Sequence, residues 1–179
     1  IFRPKEKLLD NQKEKERYES HTNDSDDLGY QNFVSPITNA VLKEYKKDDL
    51  GLDFGCGKDS PIVKVLRQKE YQIFEYDPYF FDDKKLLEEK YDYIACCEVI
   101  EHFYNPKKEF ELLKKLLKED GVLYLMTGVY NSNIDFSKWW YKNDLTHVFI
   151  FQEETFEWIK KEFAFKDMKI EKNFIRLSR

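Results

Sequence analysis

The chain has 179 residues, 41% of them apolar and 36% charged, which suits one self-standing domain and excludes a disordered polar chain. Its formal net charge is −5, and Lys and Glu interleave, as in Lys43-Glu44 and Lys114-Lys115…Lys118-Glu119. That pattern marks solvated helix faces, so duplex DNA is excluded as a partner and a short RNA end is disfavoured but open.

Residues 1–35 read as a polar N-terminal arm with a short helix near 11–20 and the acidic stretch Asn23-Asp24-Ser25-Asp26-Asp27. The chain begins at Ile1, and a fragment of a longer protein is expected. Residues 36–179 form the main domain. Pro36 opens a helix to about Lys47 with Ile37, Val41 and Leu42 on one face. Leu50 to Phe54 is an apolar strand ending in the turn Gly55-Cys56-Gly57. Ser60-Pro61 is an N-cap and first-turn proline, opening a helix to about Lys69. A second strand runs from Tyr71 to Tyr76 into Asp77-Pro78. Residues 79–90 carry one or two helical turns. Tyr91 to Cys97 is a buried strand, and Glu98 to Phe103 a short helical segment. Asn105-Pro106 starts an amphipathic helix that Asp120-Gly121 ends. Val122 to Met126 is a strand. Residues 128–150 form an aromatic insertion with Trp139-Trp140-Tyr141. A helix starts at Glu153-Glu154-Thr155, and the tail at 166–178 makes two strands turning near Asn173.

Alternating strands and helices predict a mostly parallel sheet with helices on both faces. No apolar run approaches the roughly 20 residues of a membrane span, and no signal-peptide pattern is present. Cys56, Cys96 and Cys97 lack the CxxC spacing of a zinc ribbon and read as reduced thiols, so a cytoplasmic setting is expected. Cys96 and Cys97 are adjacent on a strand and point to opposite faces.

In parallel sheets ligands sit beyond the carboxyl ends of the strands. Gly55, Asp77 and Glu98 all fall at such ends. A strand turning through Gly55-x-Gly57 into a helix brings backbone N–H groups close to a ligand. Asp77 follows about 20 residues on, the spacing of a ribose-binding acid. Dinucleotide oxidoreductases share this arrangement, but the third glycine they use for helix packing is missing. Asp53, inside the strand, is poorly placed for a pyrophosphate. It can support a loop that receives the amino-acid end of a cationic cofactor, or simply organise the turn.

Leu52-Asp53-Phe54-Gly55-Cys56-Gly57, Glu75-Tyr76-Asp77-Pro78, Tyr91-Asp92-Tyr93-Ile94 and Glu98-Val99-Ile100-Glu101-His102-Phe103 together resemble class I S-adenosylmethionine-dependent methyltransferases. The nearest branch is that of quinol O-methyltransferase-like bacterial proteins, over about residues 18–165. The resemblance implies a doubly wound Rossmann-like fold with an antiparallel C-terminal strand. It implies a cofactor set of Asp53, Phe54, Gly55, Cys56, Gly57, Tyr76, Asp77, Pro78 and Cys97. Asp53 to Gly57 would cradle the methionine part, Asp77 would bind both ribose hydroxyls, and Tyr76, Pro78 or Tyr79 would flank adenine. Two departures stand out. Asp59 replaces the third glycine of the family's GxGxG. The segment between Asp77 and Tyr91 is too short for a full third strand, which is expected to be reduced or absent. The arm pattern Arg3-Pro4…Arg17-Tyr18-Glu19…His21…Asn23…Gly29-Tyr30 resembles the segment that follows a cysteine-rich zinc ribbon in related bacterial sequences.

Methyl transfer to a hydroxyl needs an aligned nucleophile and a place for its proton. Glu98, Glu101 and His102 stand at i, i+3 and i+4 and share one face of a helix. Three readings stay open. The cluster holds a divalent metal (Mg, Mn or Zn) with His147 as fourth ligand, as its resemblance to small-RNA 3′-terminal 2′-O-methyltransferases implies. Alternatively His102 or His147 is a general base without metal, beside Glu98. Alternatively the Glu101-His102 pair only caps a short helix. Trp139-Trp140-Tyr141-x-x-Asp144-x-Thr146-His147 would cover an acceptor or pack a core. Tyr18 and His21 are candidates to close over the cofactor. The expected acceptor is a small-molecule hydroxyl, with a non-catalytic cofactor- or partner-binding module as the alternative.

Overall fold

The computed structural model describes residues 1–20 and 24–179; His21 therefore lies outside the described residues. In chain order the elements are α1 (Asn11–Glu19), α2 (Leu28–Glu44), β1 (Leu50–Phe54), α3 (Pro61–Gln68), β2 (Gln72–Tyr76), β3 (Tyr91–Cys97), α4 (Pro106–Leu116), β4 (Leu117–Met126), β5 (Val129–Tyr130), β6 (Phe151–Gln152), α5 (Glu153–Glu162), β7 (Asp167–Glu171) and β8 (Phe174–Ser178). Short 3₁₀ turns occupy Lys84–Leu87, Ile100–His102 and Trp140–Asn143.

Six strands form one sheet in the order β2-β1-β3-β4-β8-β7. β1 pairs in parallel with β2 and β3, and β3 with β4, while β8 runs antiparallel to β4 and β7. Residue alternation decides which helix covers which face. Ile94, Cys96, Leu123 and Leu125 point to the side closed by Phe110 and Leu113 of α4 and Phe156 of α5. Tyr93, Ala95, Val122 and Tyr124 point to the other side, where Ile37 of α2 and Leu66 of α3 close over them. Leu52, Ile94 and Leu123 are fully buried, each worth about 1.5–3 kcal/mol of burial. The sheet is thus doubly wound, and among the described residues the usual third strand is absent, as expected: β2 passes to β3 through a turn and the Lys84–Leu87 helix. Among the described residues no helix is long and apolar enough to cross a membrane.

Element boundaries differ from expectation in α2 and where α4 passes into β4, α4 ending at Leu116 rather than at Asp120-Gly121. Helix α2 starts at Leu28, eight residues before Pro36, and Pro36 lies inside it. Asp27 accepts from the Tyr30 amide at 2.7 Å and supplies the cap. Val34 and Ile37, both buried, pack on either side of the proline, and that burial outweighs the lost proline N–H bond. Strand β4 starts at Leu117 rather than Val122, with Leu117 opposite Tyr91. Leu117 is fully buried, so the core captures it in extended form.

The sheet order reverses between β1 and β3, and the crevice above their carboxyl ends is the switch point of the fold. From residues 128–150, Trp140, Asp144 and His147 line this crevice. The two ends of that stretch are clamped by parallel pairing of β5 with β6, Val129 opposite Phe151 and Tyr130 opposite Gln152.

Candidate functional site

A cleft of about 740 Å³ opens at the switch point, within the roughly 300–1,000 Å³ of small-ligand sites. Asp53, Phe54, Gly55, Cys56, Gly57, Tyr76, Asp77, Pro78 and Cys97 all line it, as do Glu98, His102 and His147. Glu101 does not, being fully buried behind them.

The glycine turn is built by its neighbours. Gly55 has φ +78°, and a Cβ there would lie 2.5 Å from Val99 Cγ2, so only glycine fits. The amides of Gly55 and Cys56 both donate to the Tyr76 carbonyl, at 2.7 and 3.2 Å, which locks the turn to the end of β2. The Gly57 amide donates to Asp77 Oδ2 at 3.1 Å. Asp77 Oδ1 accepts from the amides of Tyr79 and Phe80 at 2.8 and 3.2 Å. Three backbone donors thus fix the carboxylate and leave about one of its four lone-pair sites, on Oδ2, for a hydroxyl donor. Burial pushes the Asp77 carboxyl above its ordinary range, and the three amides pull against that.

Asp53 does not face the ligand space in the same way. It is buried, and the Ser60 hydroxyl donates to it at 2.5 Å. Burial pushes its carboxyl up to about 7. Asp59, where the third glycine of the usual motif would stand, accepts from the Ser25 amide at 2.8 Å and so anchors the segment leading into α2.

At the other end of the cleft the expected helical face is not formed. Glu98 has φ +53° and precedes a helix of only three residues, Ile100–His102. What converges instead is Glu101, His102 and His147, whose ligand atoms all lie within 4.8 Å of one another. Glu98 stands outside that set. Burial first, and the Glu101 carboxylate second, push Glu98 up to about 8, while the Tyr141 hydroxyl pulls against them.

Both imidazoles are held by backbone carbonyls. His102 Nδ1 lies 3.1 Å from the Thr146 carbonyl and His147 Nδ1 2.8 Å from the Tyr141 carbonyl. A carbonyl accepts only, so each Nδ1 carries the proton and donates, leaving Nε2 as the basic atom. The rings meet edge to face at 4.9 Å. Burial, with the charge of His102 behind it, pushes the His147 imidazolium down, favouring the neutral ring. Glu101 organises this corner: Thr127 donates to Oε2 at 3.0 Å and the Tyr141 hydroxyl donates to Oε1. Its carbonyl accepts from the amides of Val148 and Phe149 at 2.7 and 3.0 Å, which places His147 beside His102.

Tyr30 of α2, Glu14 of α1 and Tyr104 line the cleft although the sequence pattern did not single them out as site members, and Trp140 and Asp144, from the stretch expected to cover an acceptor or pack a core, do the same. Tyr18 lines it too, on the same helix as Glu14. Arg3 donates to the carbonyls of His147 and Asp144 at 3.0 and 2.7 Å, and residues 1–3 pair with 148–150 through an isolated Phe2–Phe149 bridge. Asp144 is held low: burial acts against this, but the Thr146 hydroxyl and amide and Arg17 prevail.

Comparison with known proteins agrees with this fold. The ubiquinone biosynthesis O-methyltransferase of Glaesserella parasuis serovar 5 is 51% identical over 39 residues, covering 22% of this chain and 16% of that protein. Among solved structures, Synechocystis PCC 6803 magnesium protoporphyrin IX methyltransferase with bound S-adenosylhomocysteine superposes with TM-score 0.57, 15% identity and 92% of each chain covered. Haemonchus contortus phosphoethanolamine N-methyltransferase 2 in complex with S-adenosylmethionine gives 0.60 at 16% identity, over 88% of this chain and 45% of that one. Human N-acetylserotonin methyltransferase in complex with S-adenosylmethionine gives 0.59 at 13% identity, over 83% and 53%. The chain thus spans about half the length of the last two. The methyltransferase domain family matches residues 29–170, from the start of α2 into β7, and the chain belongs to that family.

Proposed function

We propose that the chain transfers a methyl group from S-adenosylmethionine to a hydroxyl of a small, neutral or cationic acceptor. The observation that carries this reading is the single cleft that runs from the Asp77 carboxylate at the switch point to the His102–His147 pair. When bound, S-adenosylmethionine supplies an electrophilic methyl group on a cationic sulfonium. Asp77 is fixed by three amides and keeps one site for a ribose hydroxyl. The turn through Gly55 allows close backbone approach of the methionine part. The Asp144 carboxylate, held low, lines the same cleft and gives a negative field for the cation. His147 and His102 present Nε2 atoms that take up the acceptor's proton as its oxygen attacks.

The charge of the cleft bears on the acceptor. Its lining carries the carboxyl groups of Glu14, Asp53, Asp77, Glu98, Glu109 and Asp144 against the ammonium groups of Lys58 and Lys108. Such a lining repels phosphates, which counts against an RNA 3′ end. The free thiols Cys56, Cys96 and Cys97 fit a cytoplasmic setting.

The 4.8 Å convergence of Glu101, His102 and His147 favours a second reading in which these three hold a divalent ion. The donors fit: with each Nδ1 turned to a carbonyl, both rings offer Nε2 as the ligand atom, each Glu101 oxygen keeps a lone pair, and the carbonyls on Nδ1 are the usual supports of metal-bound histidine. A bound ion would supply Lewis acidity and lower the acceptor's pKa.

The test is titration with S-adenosylhomocysteine, then product analysis over a panel of phenols, catechols and sugar alcohols. Methylated hydroxyl products support the reading. Transfer only to RNA ends, or silence across the panel despite tight cofactor binding, contradicts it, the latter in favour of a cofactor-binding module. Elemental analysis of tag-free protein, repeated on His147→Ala, decides the metal. Metal content lost in the variant supports the ion; no metal in the parent chain leaves the base role.

A further inference from the structure

Helix α1 reads NQKEKERYE and has no apolar stripe, yet Glu14 within it is only 3% exposed. Burying a carboxylate is costly unless donors surround it, and here three do. Oε1 accepts from the Tyr18 hydroxyl at 2.7 Å, and Oε2 accepts from the hydroxyls of Tyr79 and Tyr104, each at 3.1 Å. The Tyr104 hydroxyl also lies 2.9 Å from the Leu9 carbonyl and shares its one proton between the two.

The three tyrosines come from different parts of the fold. Tyr18 is one turn further along α1. Tyr79 is two residues past Asp77, and its amide is one of the donors that fix the Asp77 carboxylate. Tyr104 lies between the Ile100–His102 turn and α4. All three line the cleft with Glu14. The Tyr18 ring then touches both ends of the site: it packs on Tyr79 at 5.6 Å and edge-on against His102 at 5.5 Å and 89°. The second tether of α1, Arg17 to Asp144 at 3.1 Å, leaves Arg17 48% exposed, so solvent screens it.

We propose that Glu14 is a positioning residue for the reaction. It holds Tyr79 as a wall beside Asp77 and Tyr18 against the His102 ring, so that docking of α1 completes the cofactor end and the acceptor end together. This rests on the cofactor reading above. Cofactor seated against Tyr79 and α1 docked on Tyr79 then stabilise one another, and by linkage each tightens the other.

The experiment measures binding and dissociation of S-adenosylhomocysteine on the full chain, on Glu14→Gln and on the double variant Tyr79→Phe, Tyr104→Phe. Gln keeps one acceptor oxygen and the side-chain volume but loses the second oxygen and the charge. The expected result is affinity about tenfold or more weaker in both variants, each losing at least one charge-assisted bond to Glu14, carried by faster dissociation. In the complexes of both variants the His102 imidazole NMR signals shift from those of the parent chain, which a purely structural role of Glu14 would not produce. Affinity, dissociation rate and His102 signals equal to the parent in both variants would overturn the proposal alone. Failure of the parent chain to bind would overturn the cofactor reading and this inference with it.

Discussion

The Ser60 hydroxyl donates to Asp53 Oδ2 at 2.5 Å while accepting from the Val63 amide at 3.2 Å. One side chain therefore caps α3 and satisfies a buried carboxylate of β1, closing the strand–turn–helix unit that carries the glycine turn. Ser60→Ala removes both functions. The lost cap costs about 0.5–2 kcal/mol, and the buried acceptor left without its hydroxyl about 1–3 kcal/mol. Urea unfolding is expected to show a loss of roughly 2–4 kcal/mol. A loss under 1 kcal/mol would mean the pair contributes little.

The Asp53 carboxyl gives stability a pH dependence. Burial raises its pKa to about 7 in the fold, above the roughly 3.9 of the unfolded chain. Between those values the folded state binds more protons than the unfolded one, so this group lowers stability as pH rises from about 4 through about 7. Asp53→Asn removes that slope. Relative to the parent, the variant is expected to gain stability at pH 8 and to converge with it near pH 4. A parallel pair of stability curves would show that Asp53 is ionised at little cost.

Glu101 ties three segments together, and its replacement tests that role. Glu101→Ala removes the shared acceptor of two buried hydroxyls, Thr127 and Tyr141, which lie 3.0 Å apart and can then bond only each other, leaving one donor stranded, and is expected to cost about 2–4 kcal/mol. Tyr141→Phe removes one donor and is expected to cost about 1–2 kcal/mol. The His147 ring should reorient in the first variant more than in the second, read from imidazole NMR. Equal, small losses would contradict the hub role.

Much of this was legible from sequence because the signals are local. Ser60-Pro61 and Asn105-Pro106 open helices where the cap chemistry places them, and Cys96 and Cys97 fall on opposite faces because a strand alternates. The shortness of residues 78–90 gave away the missing third strand. Pro36 misled, because a proline that usually opens a helix is tolerated inside one where its neighbours are buried. The Glu98-to-His102 face failed because a left-handed φ at Glu98 breaks the 3.6-residue period. The Glu14 cluster left no local trace: Tyr79 and Tyr104 stand 65 and 90 residues away, and Glu14 sits in a run of solvated charges.

Gly55→Ala separates two costs at the turn. The left-handed φ costs about 1–2 kcal/mol for alanine, and the 2.5 Å approach to Val99 adds about 1–3 kcal/mol of overpacking. Adding Val99→Ala is expected to return part of the second cost and none of the first. A double variant no more stable than Gly55→Ala would place the whole penalty in the backbone.

The most direct test of the account is calorimetric titration of S-adenosylhomocysteine into the parent chain and into Asp77→Ala. One site with micromolar affinity in the parent, weakened about 100-fold in the variant, is the expected result. No binding to the parent at millimolar ligand, with binding seen instead for a nicotinamide dinucleotide, would contradict it.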